Sequence, residues 1–203
     1  YVVFERMPLA AFGNRLPQLS FEVVRPVDGV ARMIRAVDII PGATEFGYQP
    51  NLHSSYPGPG TTMQENRSQS WAATDWKGSL DALQALCPNL ESVALVVAWF
   101  GDDLRAGSCK VRPGVEVSAK STTPASWSVN GVSRAGAFLV SRDDQDRPVY
   151  GGTPSDFAVV QAIQEMKARG LRVTFYPFIL MDVPPGNTLP NPYSDNAAET
   201  GQP

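Results

Sequence analysis

Ser92-Val-Ala-Leu-Val-Val-Ala-Trp-Phe100, running into Gly101-Asp102-Asp103, is apolar at consecutive positions, so both faces of an extended chain would be apolar. Leu171-Arg-Val-Thr-Phe-Tyr-Pro-Phe-Ile-Leu-Met181, running into Asp182, repeats the pattern. Runs of this kind read as buried parallel strands. Each follows a helix-like segment. The first has Asp75 as its expected N-cap, Leu80, Leu83 and Leu86 on one face, and Pro88-Asn89 as its stop. The second starts at Thr153-Pro-Ser-Asp156 with Ser155 as cap, carries Phe157, Val160, Ile163, Gln164 and Met166 at near-helical spacing, and ends at Gly170. Helix, strand, long excursion, helix, strand is the order of a β/α barrel or a doubly wound sheet, where acids at carboxyl strand ends are active-site candidates. A barrel of that kind needs eight strands, so the chain reads as the first part of one.

Upstream, the pattern changes. Tyr1–Glu5 has strand composition, Met7–Leu16 is a connector with Pro8, Gly13 and Asn14, and Leu19–Val24 alternates like a half-buried strand. Val30, Ile34 and Val37 are spaced for a short helix after Asp28-Gly29. Asp38–Ile40 and Glu45–Tyr48 read as short strands about a Pro41-Gly42 turn. Gln49 to Ser70 is poor in apolar residues and reads as a linker. The expected organisation is therefore a β-rich segment over 1–50, a linker over 51–70, and a β/α domain over 71–203, a mixed α+β and α/β chain. Within the excursion after Asp103, Val115–Ala119 and Trp127–Val129 read as an antiparallel pair and Ala137–Val140 as a further strand. An opening at Tyr1 and a Pro-rich tail after Val183 read as a segment of something longer.

At 203 residues with 43% hydrophobic and 18% charged residues, the composition is that of a folded chain with a core. A net charge of −3 supplies no basic stripe and argues against a phosphate-binding role. Eighteen prolines and seventeen glycines mean that much of the chain is loop. Cys87 and Cys109 have no ligand spacing. Cys87 reads as a buried small hydrophobe. No apolar run is long enough to cross a bilayer.

Asp102, Asp103 and Asp182 are the weak catalytic candidates, since glycoside cleavage needs two carboxylates flanking the bond. Acids after strands also cap loops and bind amides, which is the commoner role. Trp99, Trp127 and Tyr176, with Phe178, are the weak carbohydrate-binding candidates by ring stacking, against the commoner fate of aromatics in a core. His53, the single histidine, lies in a loop and reads as solvated. Asp143–Asp146 reads as a solvated turn, and neither a metal site nor a cofactor motif is expected.

Several strings resemble a known family. Pro8-Leu-Ala-Ala-Phe-Gly-Asn-Arg-Leu-Pro-Gln-Leu-Ser-Phe-Glu-Val23, Ile34–Val37, Ile40-Pro-Gly42 and Glu45-Phe46 resemble the large baseplate protein of gene transfer agents and related siphophage tails. Leu83–Glu91, Val96–Arg105, Arg112–Glu116, Gly151–Asp156 and Phe175–Asp182 resemble the start of its inserted TIM-barrel-like, glycoside-hydrolase-like domain. The resemblance implies a tail-tip hub segment interrupted by the barrel domain, made in the bacterial cytoplasm and assembled, as a homotrimer with other tail proteins, in a virion-like particle. It implies a role in attachment to the host envelope, with DNA only as delivered cargo. The alternative is a hydrolase acting on peptidoglycan or surface polysaccharide. The family assigns no catalytic pair to residues of this chain.

Overall fold

A computed structural model describes residues 10, 13, 21, 23–25, 29–40, 44–196 and 198–202. The strands expected at Tyr1–Glu5 and Leu19–Val24, the connector between them and the Pro41-Gly42 turn lie outside these residues, isolated positions aside. The elements in chain order are α1 (Val30–Met33), β1 (Ala36–Ile39), β2 (Ser54–Gly58), β3 (Thr61–Gln64), α2 (Asp75–Leu86) and β4 (Ser92–Gly101). Five two-residue strands follow: β5 (Val111–Arg112), β6 (Gly114–Val115), β7 (Thr122–Thr123), β8 (Ser128–Val129) and β9 (Val132–Ser133). β10 (Phe138–Leu139), α3 (Asp156–Ala168) and β11 (Arg172–Met181) complete them. The chain is a mixed helix and strand protein with several small sheets, and no barrel is closed among the described residues.

The organising unit is the parallel sheet β1-β4-β11. β4 pairs with β11 over its whole length, from Ser92 against Arg172 to Gly101 against Met181. On its other edge β4 pairs with β1 as far as Leu95, then antiparallel with β5 at Phe100 and Gly101. Between those partners the Val96 carbonyl would be orphaned, and the Tyr48 hydroxyl donates to it at 2.5 Å. Burial pushes that phenol's pKa well above its usual value. Tyr48 thus finishes the ladder where β1 stops.

Helices cover one face of this sheet. Val93, Leu95 and Val97 of β4 pack with Trp76 and Leu80 of α2 and with Ala158, Ala162 and Met166 of α3. In α3 the buried stripe is the four-residue repeat Ala158, Ala162, Met166. Phe157 and Val160, expected on the buried face, are 37% and 52% exposed. The small alanines let the helix approach the sheet. Ser155 caps α3 by accepting from the Ala158 N–H, and Gly170, at φ 80°, turns the chain directly into β11. α2 begins one residue earlier than expected, with Thr74 as cap and Asp75 inside the first turn.

β11 is the exception in this sheet. It pairs with β4 and with no other described strand. Arg172 and Asp182 donate their N–H groups to β4-side carbonyls, so the even-numbered positions face β4 and the odd-numbered ones face outward. Pro177 falls on the outward side, where its missing N–H disrupts no existing bond. The side chains are nevertheless those of a covered strand. Val173 joins the helix-side core, but Phe175 and Ile179 on that face are 50% and 52% exposed. Tyr176 and Phe178 on the opposite face are exposed as well.

Several expectations are corrected. Val30–Val37 is a four-residue helix followed by a strand, because Ala36–Ile39 is recruited by β4. The segment expected to be a separate β-rich unit therefore contributes the first strand of the parallel sheet. Glu45–Tyr48 is a buried turn and not a strand. The expected linker contains the hairpin β2–β3. Val115 pairs parallel with β10, and Ser128–Val129 pairs with β9, so the antiparallel pair expected between 115–119 and 127–129 does not form.

Candidate functional site

Two excursions leave the carboxyl ends of parallel strands, residues 40–74 after β1 and 102–155 after β4. They pack on one another at the end of the sheet where sites in β/α proteins are found. The three expected acids lie at this end, and each holds a loop. Asp103, 5% exposed, accepts from the Arg105 N–H (2.8 Å), Nε (3.0 Å) and Nη2 (2.6 Å), and from Gln202 Nε2 (2.7 Å). The Arg105 and Gln202 bonds hold its pKa well below the usual carboxylate range. A carboxyl in that state cannot deliver a proton as a general acid and is a weak base. Asp182 is buried and accepts from the Ser141 N–H at 2.8 Å. Asp102 accepts from the Lys110 N–H at 2.8 Å and pairs with Arg112 at 3.2 Å.

The expected aromatics do not form one platform. Trp127 is 2% exposed, and its indole N–H donates to the Thr153 carbonyl at 2.8 Å. Trp99 is an odd-numbered residue of β4 and sits between the helix-side core and a second core of Phe46, Val115, Trp127 and Val129. Tyr176 belongs to the even-numbered face of β11 and meets Phe178 edge-on at 6.3 Å. Strand alternation places Trp99 and Tyr176 on opposite faces of the sheet.

What the packed excursions create is a charged cluster. Glu45, 2% exposed, accepts from both terminal nitrogens of Arg134, Nη1 at 2.9 Å and Nη2 at 2.5 Å, and from the Glu116 N–H at 3.0 Å. Lys120 Nζ lies 2.9 Å from Glu65, 3.3 Å from Glu116 and 3.6 Å from Glu45. Burial alone would lower the Lys120 pKa, but the three carboxylates outweigh it and raise it. Glu65 is held below its usual value, since its bonds to Ser55 and Lys120 overcome its own burial. Lys120 is therefore a fixed cation and not an amine nucleophile. Beside Glu65 and Lys120 opens a cavity of about 450 Å³ between the β2–β3 hairpin and the segment 117–121.

His53 was expected in solvent and is fully buried, stacked on Phe46 at 4.1 Å between centroids. Its Nε2 lies 2.8 Å from the Ala125 carbonyl, so Nε2 carries the proton; Nδ1 is buried with no partner among the described residues. Burial holds its pKa below 6.5, against the opposing effects of Ala125 and Glu65. The unfolded chain takes up a proton as pH falls through 6.5 and the folded chain does so only lower. Stability present above pH 6.5 is then lost as pH falls toward the folded pKa. Because no other histidine exists, the urea midpoint is expected to decline between about pH 7 and 5 in the parent and to flatten in His53→Gln. An equally steep decline in the variant would assign the effect elsewhere.

Cys87 is buried as expected, and both cysteines are free thiols. Asp143 organises the turn to Arg147, accepting its backbone N–H at 2.8 Å. No helix among the described residues is long and apolar enough to cross a membrane. No family model matches the chain, and none of the curated proteins compared with it matches.

Proposed function

We propose that this chain is a structural component of the tail tip of a phage-like particle of the gene transfer agent type, acting in envelope attachment and DNA delivery. The resemblance of its sequence to the baseplate family motivates the proposal. The observation that carries it is β11: a ten-residue strand with an edge that no other described strand pairs, and exposed Phe175, Tyr176, Phe178 and Ile179 on its two faces. An apolar edge strand of this kind marks a surface that other protein covers. In the proposed assembly the sheet β1-β4-β11 is the first part of a TIM-barrel-like domain, and further β/α units close against β11. The assembled component is a homotrimer among other tail proteins, and DNA passes it only as cargo.

Particles made without the protein are expected to lack a complete tip and to fail in DNA delivery. Normal tips and normal delivery would overturn the proposal. The hydrolase alternative requires two available carboxylates, and the four bonds on Asp103 weigh against it. The full-length protein is expected to release no new reducing ends from peptidoglycan or capsular polysaccharide. Turnover that is present in the parent and lost in both Asp103→Asn and Asp182→Asn would restore the hydrolase.

A further inference from the structure

We infer that the cavity between the β2–β3 hairpin and residues 117–121 is a binding site for a neutral oligosaccharide. This gives the proposed envelope contact a site and a ligand class, while the binding itself can be tested on the chain alone.

The cavity, about 450 Å³, has an apolar wall and a charged floor. Tyr56, Pro57 and Met63 from the hairpin make the wall, with Tyr56 47% and Met63 55% exposed. Glu65 and Lys120, 2.9 Å apart, make the floor, and Ser121 adds a hydroxyl. A mostly apolar concavity with a few converging polar groups and shifted titration is the form that small-ligand sites take. The polar groups are not left over from packing on one element. They come from both excursions, and the bonds from Glu45 to Arg134 and from Glu65 to Lys120 fix the two halves relative to one another.

The charge pattern selects the ligand. Glu45, Glu65 and Glu116 face Lys120 and Arg134, a formal excess of one negative charge, so an anionic ligand is repelled. A cationic ligand would have to sit against Lys120, whose charge the surrounding carboxylates hold in place. A polyol meets neither objection. Its hydroxyls can donate to the Glu65 carboxylate and accept from the Lys120 ammonium, charge-assisted bonds of both senses. The C–H face of a sugar ring suits the exposed Tyr56 ring and the neighbouring Met63 thioether. None of Trp99, Trp127 and Tyr176 lines this cavity.

Ligand-observed NMR and calorimetry on the chain with chitotetraose, cellotetraose and maltotetraose, and with choline and polygalacturonate as cationic and anionic comparators, test this. At least one neutral tetrasaccharide is expected to bind, with both comparators weaker. Tyr56→Ala is expected to weaken that binding about tenfold or more, Tyr56→Phe to retain it, and Tyr176→Ala to leave it unchanged. Near-UV circular dichroism identifies any variant that has lost its fold. Failure of all three tetrasaccharides, preference for choline or polygalacturonate, undiminished binding by a folded Tyr56→Ala, or loss in Tyr176→Ala would each overturn the inference. Tip defects are read on particles lacking the protein and sugar binding on the chain itself, so the two tests fail independently.

Discussion

Replacing Arg134 by Met is expected to destabilise the chain by about 3–5 kcal/mol, the usual cost of breaking a buried ion pair, because it leaves Glu45 only its longer 3.6 Å ion pair with Lys120. Arg134 is 8% exposed and Glu45 2%, and the pair is bidentate. The pair joins positions 45 and 134, so its loss also removes one of the links between the two excursions. Urea titration followed by tryptophan fluorescence measures the change. The neutralised double variant Glu45→Gln with Arg134→Met is expected to be more stable than Arg134→Met, because no buried charge is then left alone. If the double variant is the weaker of the two, the cost lies in lost packing of the Arg134 side chain, whose guanidinium carbon sits 5.8 Å from the centroid of the Trp127 ring, and not in the carboxylate it leaves behind.

The second large effect is on association. The parent chain is expected to self-associate through β11, and Phe175→Lys with Ile179→Lys to raise the concentration at which it does so by about tenfold or more. Both residues are about half exposed, so the substitutions leave the core intact. Sedimentation velocity over a concentration series reads the change. A parent that is monodisperse as a monomer throughout would mean that the exposed face needs no cover, and would weaken the assembly proposal with it.

The central sheet was legible because its information is local. The apolar runs at 93–100 and 175–181, the Ser155 cap and the Gly170 turn each declare themselves within a few residues, and the parallel pairing follows from the intervening helix. The first half of β1, Ala36-Val37, was misread as the end of a helix while Asp38-Ile39 was read as strand, because four residues carry too little periodicity to outvote a neighbour. The charged cluster was not legible at all. Glu45 finds Arg134, and Glu65 finds Lys120, across 89 and 55 positions with no repeat to announce them. His53 shows the same limit, since a polar residue in a loop reads as solvated until a second loop covers it. Glu45 and Glu116 lie in segments read as short strands and Glu65 in one read as a linker, so no local signal pointed to a shared cluster.

The pairing of β4 with β11 has a consequence for how the chain reaches this fold. Ser92 meets Arg172 only after the long segment between them has been closed into a loop, whereas the β2–β3 hairpin pairs neighbours. Closure entropy rises with loop length and long-range parallel pairing is slow, so the hairpin and helices are formed early and the sheet late. During synthesis β4 emerges well before the strand that shields it, with only β1 and α2 at hand to cover it. The interval between them is when the chain is most exposed to misassociation, and residues 102–155, which occupy that interval, are the ones that build the cavity.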